Sequence, residues 1–124
     1  MLRSMFQIFV KDSVEAVKFY QKALDAKLEC EYFDESKKFY MHSELNVNGQ
    51  ILAVSELTEQ TPNAGNTMMF CLHFGKGNAD KIHKIYEILK EGAKIVSLID
   101  EPCVYSECEF DLIDKFGVRW CVFE

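Results

Sequence analysis

No apolar run in this sequence approaches the roughly 18–20 residues of a membrane-spanning helix. That shortage argues against helical insertion in a bilayer. Positive charge is also scarce: 14 Lys and Arg face 20 Asp and Glu, for a formal net charge of −6. A nucleic-acid surface needs a basic footprint, and none is visible. The five cysteines include no CxxC pair. An odd number without that spacing suggests neither a disulfide framework nor a zinc knuckle, and a reduced cytoplasm is the plain reading. The opening MLRSMFQIFV is too short and too strand-like for a signal peptide. A small-molecule ligand remains the natural partner, with no nucleic acid and no membrane.

What is present is a repeat. The chain has 124 residues, 48% of them hydrophobic, which is enough for a core without covalent staples. Residues 12–24, DSVEAVKFYQKAL, carry a helical stripe of Ala16, Phe19, Tyr20, Ala23 and Leu24. Asp12 and Glu15 have capping-box spacing at its start. Residues 78–91 repeat the stripe with Ile82, Ile85, Tyr86 and Leu89, between Asn78 as N-cap and Gly92 as stop. Strands are expected before the helices at Met5–Val10 and Met68–Phe74. Others come after the first helix at Lys27–Phe33, Lys38–Val47 and Gln50–Glu56, and after the second at Ala93–Leu98, Val104–Leu112 and Val118–Phe123. YMHSELNV (40–47) answers YSECEFDL (105–112), so the chain reads as two βαβββ copies.

Alternation assigns faces, because successive side chains of a strand point to opposite sides. Phe6, Ile8 and Val10 oppose Met5, Gln7 and Phe9; Phe70, Leu72 and Phe74 oppose Met69, Cys71 and His73; Val118, Trp120 and Val122 oppose Arg119, Cys121 and Phe123. Asn48-Gly49 between alternating runs predicts a two-residue hairpin turn that sets Glu44 across from Ala53 and His42 across from Ser55. One face of each strand covers the helices. The other gathers Gln7, Tyr40, His42, Glu44, Ser55, Cys71, His73, Tyr105, Glu107, Glu109, Arg119 and Cys121. If curved, it is a pocket rich in titratable groups.

The stretches FQIFVKD, SVEAVKFYQKALDAKLE, YMHSELNVNGQILAVSE and DKFGVRW resemble the glyoxalase/bleomycin-resistance/dioxygenase (vicinal oxygen chelate) superfamily, in particular its PhnB-like branch. The likeness implies an α+β fold: two βαβββ modules forming U-shaped mixed sheets, helices outside, a small-molecule cavity and a homodimer. It implies one domain over 1–124, with modules at about 1–60 and about 66–124. Metal-using members place His, Gln or Glu at one position in each of four strands. In this chain those positions fall on Met5, Ala53, Met69 and Cys121. Divalent ions of that chemistry want oxygen and imidazole donors, which two thioethers, a methyl and a thiol do not supply. The expectation is no metal there and no cofactor.

Other chemistry on the face stays open. His42 and Glu44 are spaced for an acid–base pair, about 7 Å along one strand, or for a solvated face of pairing charges. His73 is a third candidate for a relocated metal site with them. Glu44, Glu107 and Glu109 suit a cationic ligand, as in drug-sequestering relatives. Arg119 suits a carboxylate or phosphate, or pairs with Glu109. Cys71 and Cys121 are nucleophiles if His73 or Arg119 activates them, and structural thiols otherwise. The candidate ligand-binding set is Gln7, Tyr40, His42, Glu44, His73, Glu109, Arg119 and Cys121. The leading reading is a metal-independent binder that sequesters a small, toxic compound. A glyoxalase-like lyase or isomerase using His42 and Glu44 or a relocated metal site, and a purely structural dimer, are the alternatives.

Overall fold

A computed structural model describes residues 1–58, 67–99 and 108–124. The chain divides into two compact units, Met1–Pro62 and Asn63–Glu124. The first runs β1 (Phe6–Val10), α1 (Ser13–Leu24), β2 (Lys27–Phe33), β3 (Tyr40–Val47) and β4 (Gln50–Glu56). The second repeats that order with β5 (Phe70–His73), α2 (Ala79–Leu89), β6 (Lys94–Ser97), β7 (Glu109–Ile113) and β8 (Arg119–Phe123). Their sheets are ordered β1-β4-β3-β2 and β5-β8-β7-β6. In each, the strand before the helix pairs in parallel with the last strand, and the other pairings are antiparallel. These are the two βαβββ copies that the sequence predicts. The start of the strand expected over Val104–Leu112, with Tyr105 and Glu107, lies outside the described residues.

Each helix forms because its apolar stripe has a sheet face to cover. Ala16, Val17, Phe19, Tyr20, Ala23 and Leu24 of α1 are buried, as are Ile8, Val10, Leu45, Val47, Leu52 and Val54 of its sheet. In the second unit Ile82, Ile85 and Leu89 of α2 are buried, along with Phe110, Leu112, Trp120 and Val122. Burying one such side chain contributes about 1.5–3 kcal/mol, which is the main force holding helix to sheet.

The start of α1 differs from the expected capping box. Asp12 is the N-cap but sits at φ 67°, and its side chain makes no cap bond. The carboxylate of Glu56, at the end of β4, instead accepts the N–H groups of Asp12 and Ser13 at 2.9 and 2.8 Å. Ser13 Oγ in turn accepts the Tyr40 N–H at 2.9 Å, tying the helix start to β3. At the β3–β4 turn Asn48 and Gly49 both have positive φ, 51° and 92°, as a two-residue hairpin turn requires. Val47 therefore pairs with Gln50 and Glu44 with Ala53.

Candidate functional site

In the first unit the sheet face turned away from α1 forms two rows. One row is Gln7 (β1), Ala53 (β4), Glu44 (β3) and Cys30 (β2), each the cross-strand partner of the next. The other lies two residues along: Phe9 pairs with Ser55, and His42 with Tyr32. Polar groups hold the middle. Phe9 and Tyr32, 58% and 64% exposed, stand at the two edges and leave apolar surface for a ligand to cover.

Glu44 is the centre of this face. It is buried, yet Arg3 Nη1 and Nη2 donate to its two oxygens, both at 2.8 Å. His42 Nε2 lies 2.9 Å from Glu44 Oε1. The Arg3 guanidinium, helped by the His42 hydrogen bond, holds the Glu44 carboxyl down to about 2, against the opposing effect of burial. Glu44 is therefore a carboxylate whose charge is already matched. A cationic ligand would have to displace Arg3 to reach it. Gln7 Nε2 donates to Ser55 Oγ at 3.1 Å and to the Ile8 carbonyl at 2.8 Å.

Two bulges decide who joins this face. Plain alternation sets Tyr40 beside His42, and the structure corrects this. Met41 is an extra residue opposite the Tyr32–Phe33 step, since Tyr32 pairs with His42 and Phe33 with Tyr40. Tyr40 is thereby turned to the helix side. Its hydroxyl donates to Glu31 at 2.7 Å and its ring lies 4.7 Å from Phe33. Burial, with the nearby Glu31, pushes that hydroxyl up to about 12. The second bulge, at Glu29, moves Cys30 the other way: Leu28 pairs with Leu45 on the helix side and Cys30 with Glu44 on the polar side. Sequence reasoning misses Cys30 because plain alternation keeps it with Leu28.

The second unit has a matching face of its own. Cys71, Cys121 and Asp111 form one row, and His73, Phe123 and Glu109 the next. Cys121 points away from α2, opposite Trp120, as expected. Its sulfur lies 3.6 Å from Glu109 Oε1. Burial, reinforced by the Glu109 charge, pushes the thiol up to about 12, so it is not an activated nucleophile. His73 is exposed and stacks on Phe123 at 4.6 Å. Arg119 does not pair with Glu109: its Nε and Nη2 donate to Asp111 at 3.0 and 2.8 Å. Sequence reasoning misses Asp111 because the strand match aligns Glu109 with Glu44. The pairing makes Asp111 the true counterpart, since it stands beside Cys121 as Glu44 stands beside Ala53.

Comparison with known proteins settles the family. The family model of the Glyoxalase/Bleomycin resistance protein/Dioxygenase superfamily matches residues 4–122. The chain belongs to that superfamily. Among solved structures it is similar to protein PA1353 from Pseudomonas aeruginosa, at 20% identity and TM-score 0.81, covering 99% of this chain and 97% of that one. It is also similar to a PhnB protein from Bacillus cereus, named for a 3-demethylubiquinone-9 3-methyltransferase, at 17% identity, TM-score 0.80 and 98% of both chains. It resembles the fosfomycin resistance protein FosX from Listeria monocytogenes at 13% identity and TM-score 0.72, covering 98% of this chain and 91% of that one. Identities this low speak for the fold alone. None of the curated proteins matches the sequence. At the positions that the resemblance marks for metal ligands, Ala53 offers a buried methyl, Cys121 a buried thiol and Met69 a thioether 40% exposed. These groups and the Met5 thioether do not fit a hard divalent ion.

Proposed function

We propose that the chain is a small-molecule-binding protein that works without an ion at the superfamily's four positions, and that it sequesters its ligand. One observation carries this reading. In both units the carboxylate beside the marked position, Glu44 next to Ala53 and Asp111 next to Cys121, is held by two hydrogen bonds from an arginine. With each carboxylate already neutralised by its arginine, neither marked position relies on an ion beside it. The ligand that fits the first unit's face is compact and largely apolar, with a few polar atoms. Phe9 and Tyr32 would cover its surface, and Gln7 and His42 would orient it. We further propose that the protein is a cytoplasmic homodimer and a single domain formed by its two modules. His73, Glu109, Arg119 and Cys121 would contribute a second set of contacts.

A thermal-shift screen of neutral and cationic aromatic compounds in excess chelator tests the reading. Hits are expected in chelator, weakened by Tyr32→Ala and His42→Ala. Stabilisation that always requires added metal would overturn it. The enzyme reading rests on the His42–Glu44 contact of 2.9 Å, which suits proton transfer. Turnover of hemithioacetal or catechol substrates that is lost in His42→Ala, and not in Tyr32→Ala, would favour that alternative.

A further inference from the structure

Cys30, His42 and Glu44 each offer one ligating atom, and these atoms lie within 4.8 Å of one another. We propose that this triad is a metal site of its own, for a borderline divalent ion such as zinc or cobalt, with Arg3 as a displaceable cap. The site is distinct from the four superfamily positions, because Cys30 lies on β2 while His42 and Glu44 lie on β3. It shares His42, Glu44 and Arg3 with the sequestration proposal, but the tests are separate: that one is read in chelator, this one by metal uptake.

The donor chemistry carries the argument. Thiolate, imidazole and carboxylate oxygen are the three ligand types that such ions take, and three protein ligands leave a fourth position for water. Tetrahedral coordination brings donors to about 3.3–3.8 Å from each other, so the side chains need only modest rotamer changes. The strands already place them: Cys30 and Glu44 are cross-strand partners, and His42 is two residues from Glu44 on the same side. The Glu29 bulge makes this possible, since it is what turns Cys30 to the polar face. Cys30 and His42 are half-buried, so an ion has a way in.

Arg3 occupies the place of the cation. It lies in the irregular segment before β1, and its side chain is 52% exposed, so it can leave without disturbing the sheet. On loading, the Cys30 S–H proton passes to solvent and the ion takes up Cys30 Sγ, His42 Nε2 and a Glu44 oxygen. The guanidinium exchanges its two bonds to Glu44 for bonds to water. Thiolate and carboxylate together balance the charge of the ion, so the released guanidinium leaves no uncompensated anion.

Zinc titration by calorimetry, on the full chain, tests the proposal. One equivalent per chain is expected. The cobalt form should show a thiolate-to-cobalt charge-transfer band, and zinc should protect Cys30 of the unaltered protein from alkylation, as mapped by mass spectrometry. Cys30→Ser should remove the band, and His42→Ala should weaken binding by at least about tenfold, the loss common for even an outer-shell partner. Arg3→Met should tighten binding. No bound equivalent, or a bound ion that leaves Cys30 open to alkylation, would overturn the site. Binding unchanged in Arg3→Met would overturn the role of the cap.

Discussion

Asp114 explains a motif that sequence comparison alone leaves mute. In Asp-Lys-Phe-Gly-Val-Arg-Trp (114–120), its Oδ1 accepts the N–H groups of Phe116 and Val118 at 2.9 and 3.0 Å. Its Oδ2 accepts the Trp120 indole N–H at 2.9 Å. The motif is thus a loop lock and an anchor for a buried Trp. Asp114→Ala leaves those donors without the carboxylate and is expected to cost about 2–4 kcal/mol, read as a drop in the urea midpoint at unchanged slope. The cysteines of β5 and β8 allow a second test. Cys71 is exposed, whereas Cys121 is buried with its thiol pushed up to about 12. Iodoacetamide near neutral pH should modify Cys71 first and Cys121 only on unfolding. The sign of the pH effect comes from linkage. The folded thiol holds its proton to higher pH than the unfolded one, so its share of stability is complete below about 9 and is lost as pH rises toward 12. Cys121→Ala should flatten that part of the pH–stability curve, as tracked by urea unfolding between pH 8 and 10.5; the same slope in both proteins would refute the assignment.

Among the elements, legibility in the sequence depends on where alternation runs unbroken. β1, β5 and β8 alternate cleanly, and their faces fall as expected, Cys121 included. The β2–β3 pair does not, because Glu29 and Met41 are extra residues in its ladder. A bulge has no firm signature in a single sequence, and each one reverses the facing of the residues beyond it. That is why alternation alone puts Tyr40 on the polar face and leaves Cys30 off it. Arg3 escapes notice for a different reason: it lies in the irregular segment before β1, where no period assigns a direction. The cap of α1 is another nonlocal feature. Glu56 is 43 residues from Ser13, beyond any capping-box pattern. Glu56→Ala should therefore destabilise α1 by about 1 kcal/mol, the usual worth of a cap, while Glu15→Ala should cost less. Equal effects of the two substitutions on the thermal midpoint would restore the local capping box.

For the whole molecule, the repeat is legible because both copies bury the same helix stripe and share one strand order. What the two units do together is a question of assembly. No helix among the described residues is long and apolar enough to cross a membrane, so a lipid-spanning helix does not account for the apolar surface. That surface is considerable: Phe9, Met41, Val96 and Leu98 are 58%, 69%, 48% and 52% exposed in the single chain. Exposed apolar residues are ordinary one by one, so these four, two in each unit, serve only as probes of the proposed interface. The proposed homodimer should give twice the 14.4 kDa chain mass by light scattering on a sizing column. Single glutamates at these four positions separate association from folding. An exposed site tolerates such a change within about 0.5 kcal/mol in a monomer, whereas an interface site buries an unpaired charge. At least one of the four should shift the mass to that of a single chain while leaving the far-ultraviolet dichroism intact. A wild-type protein that runs at the single-chain mass throughout the micromolar range would refute the dimer.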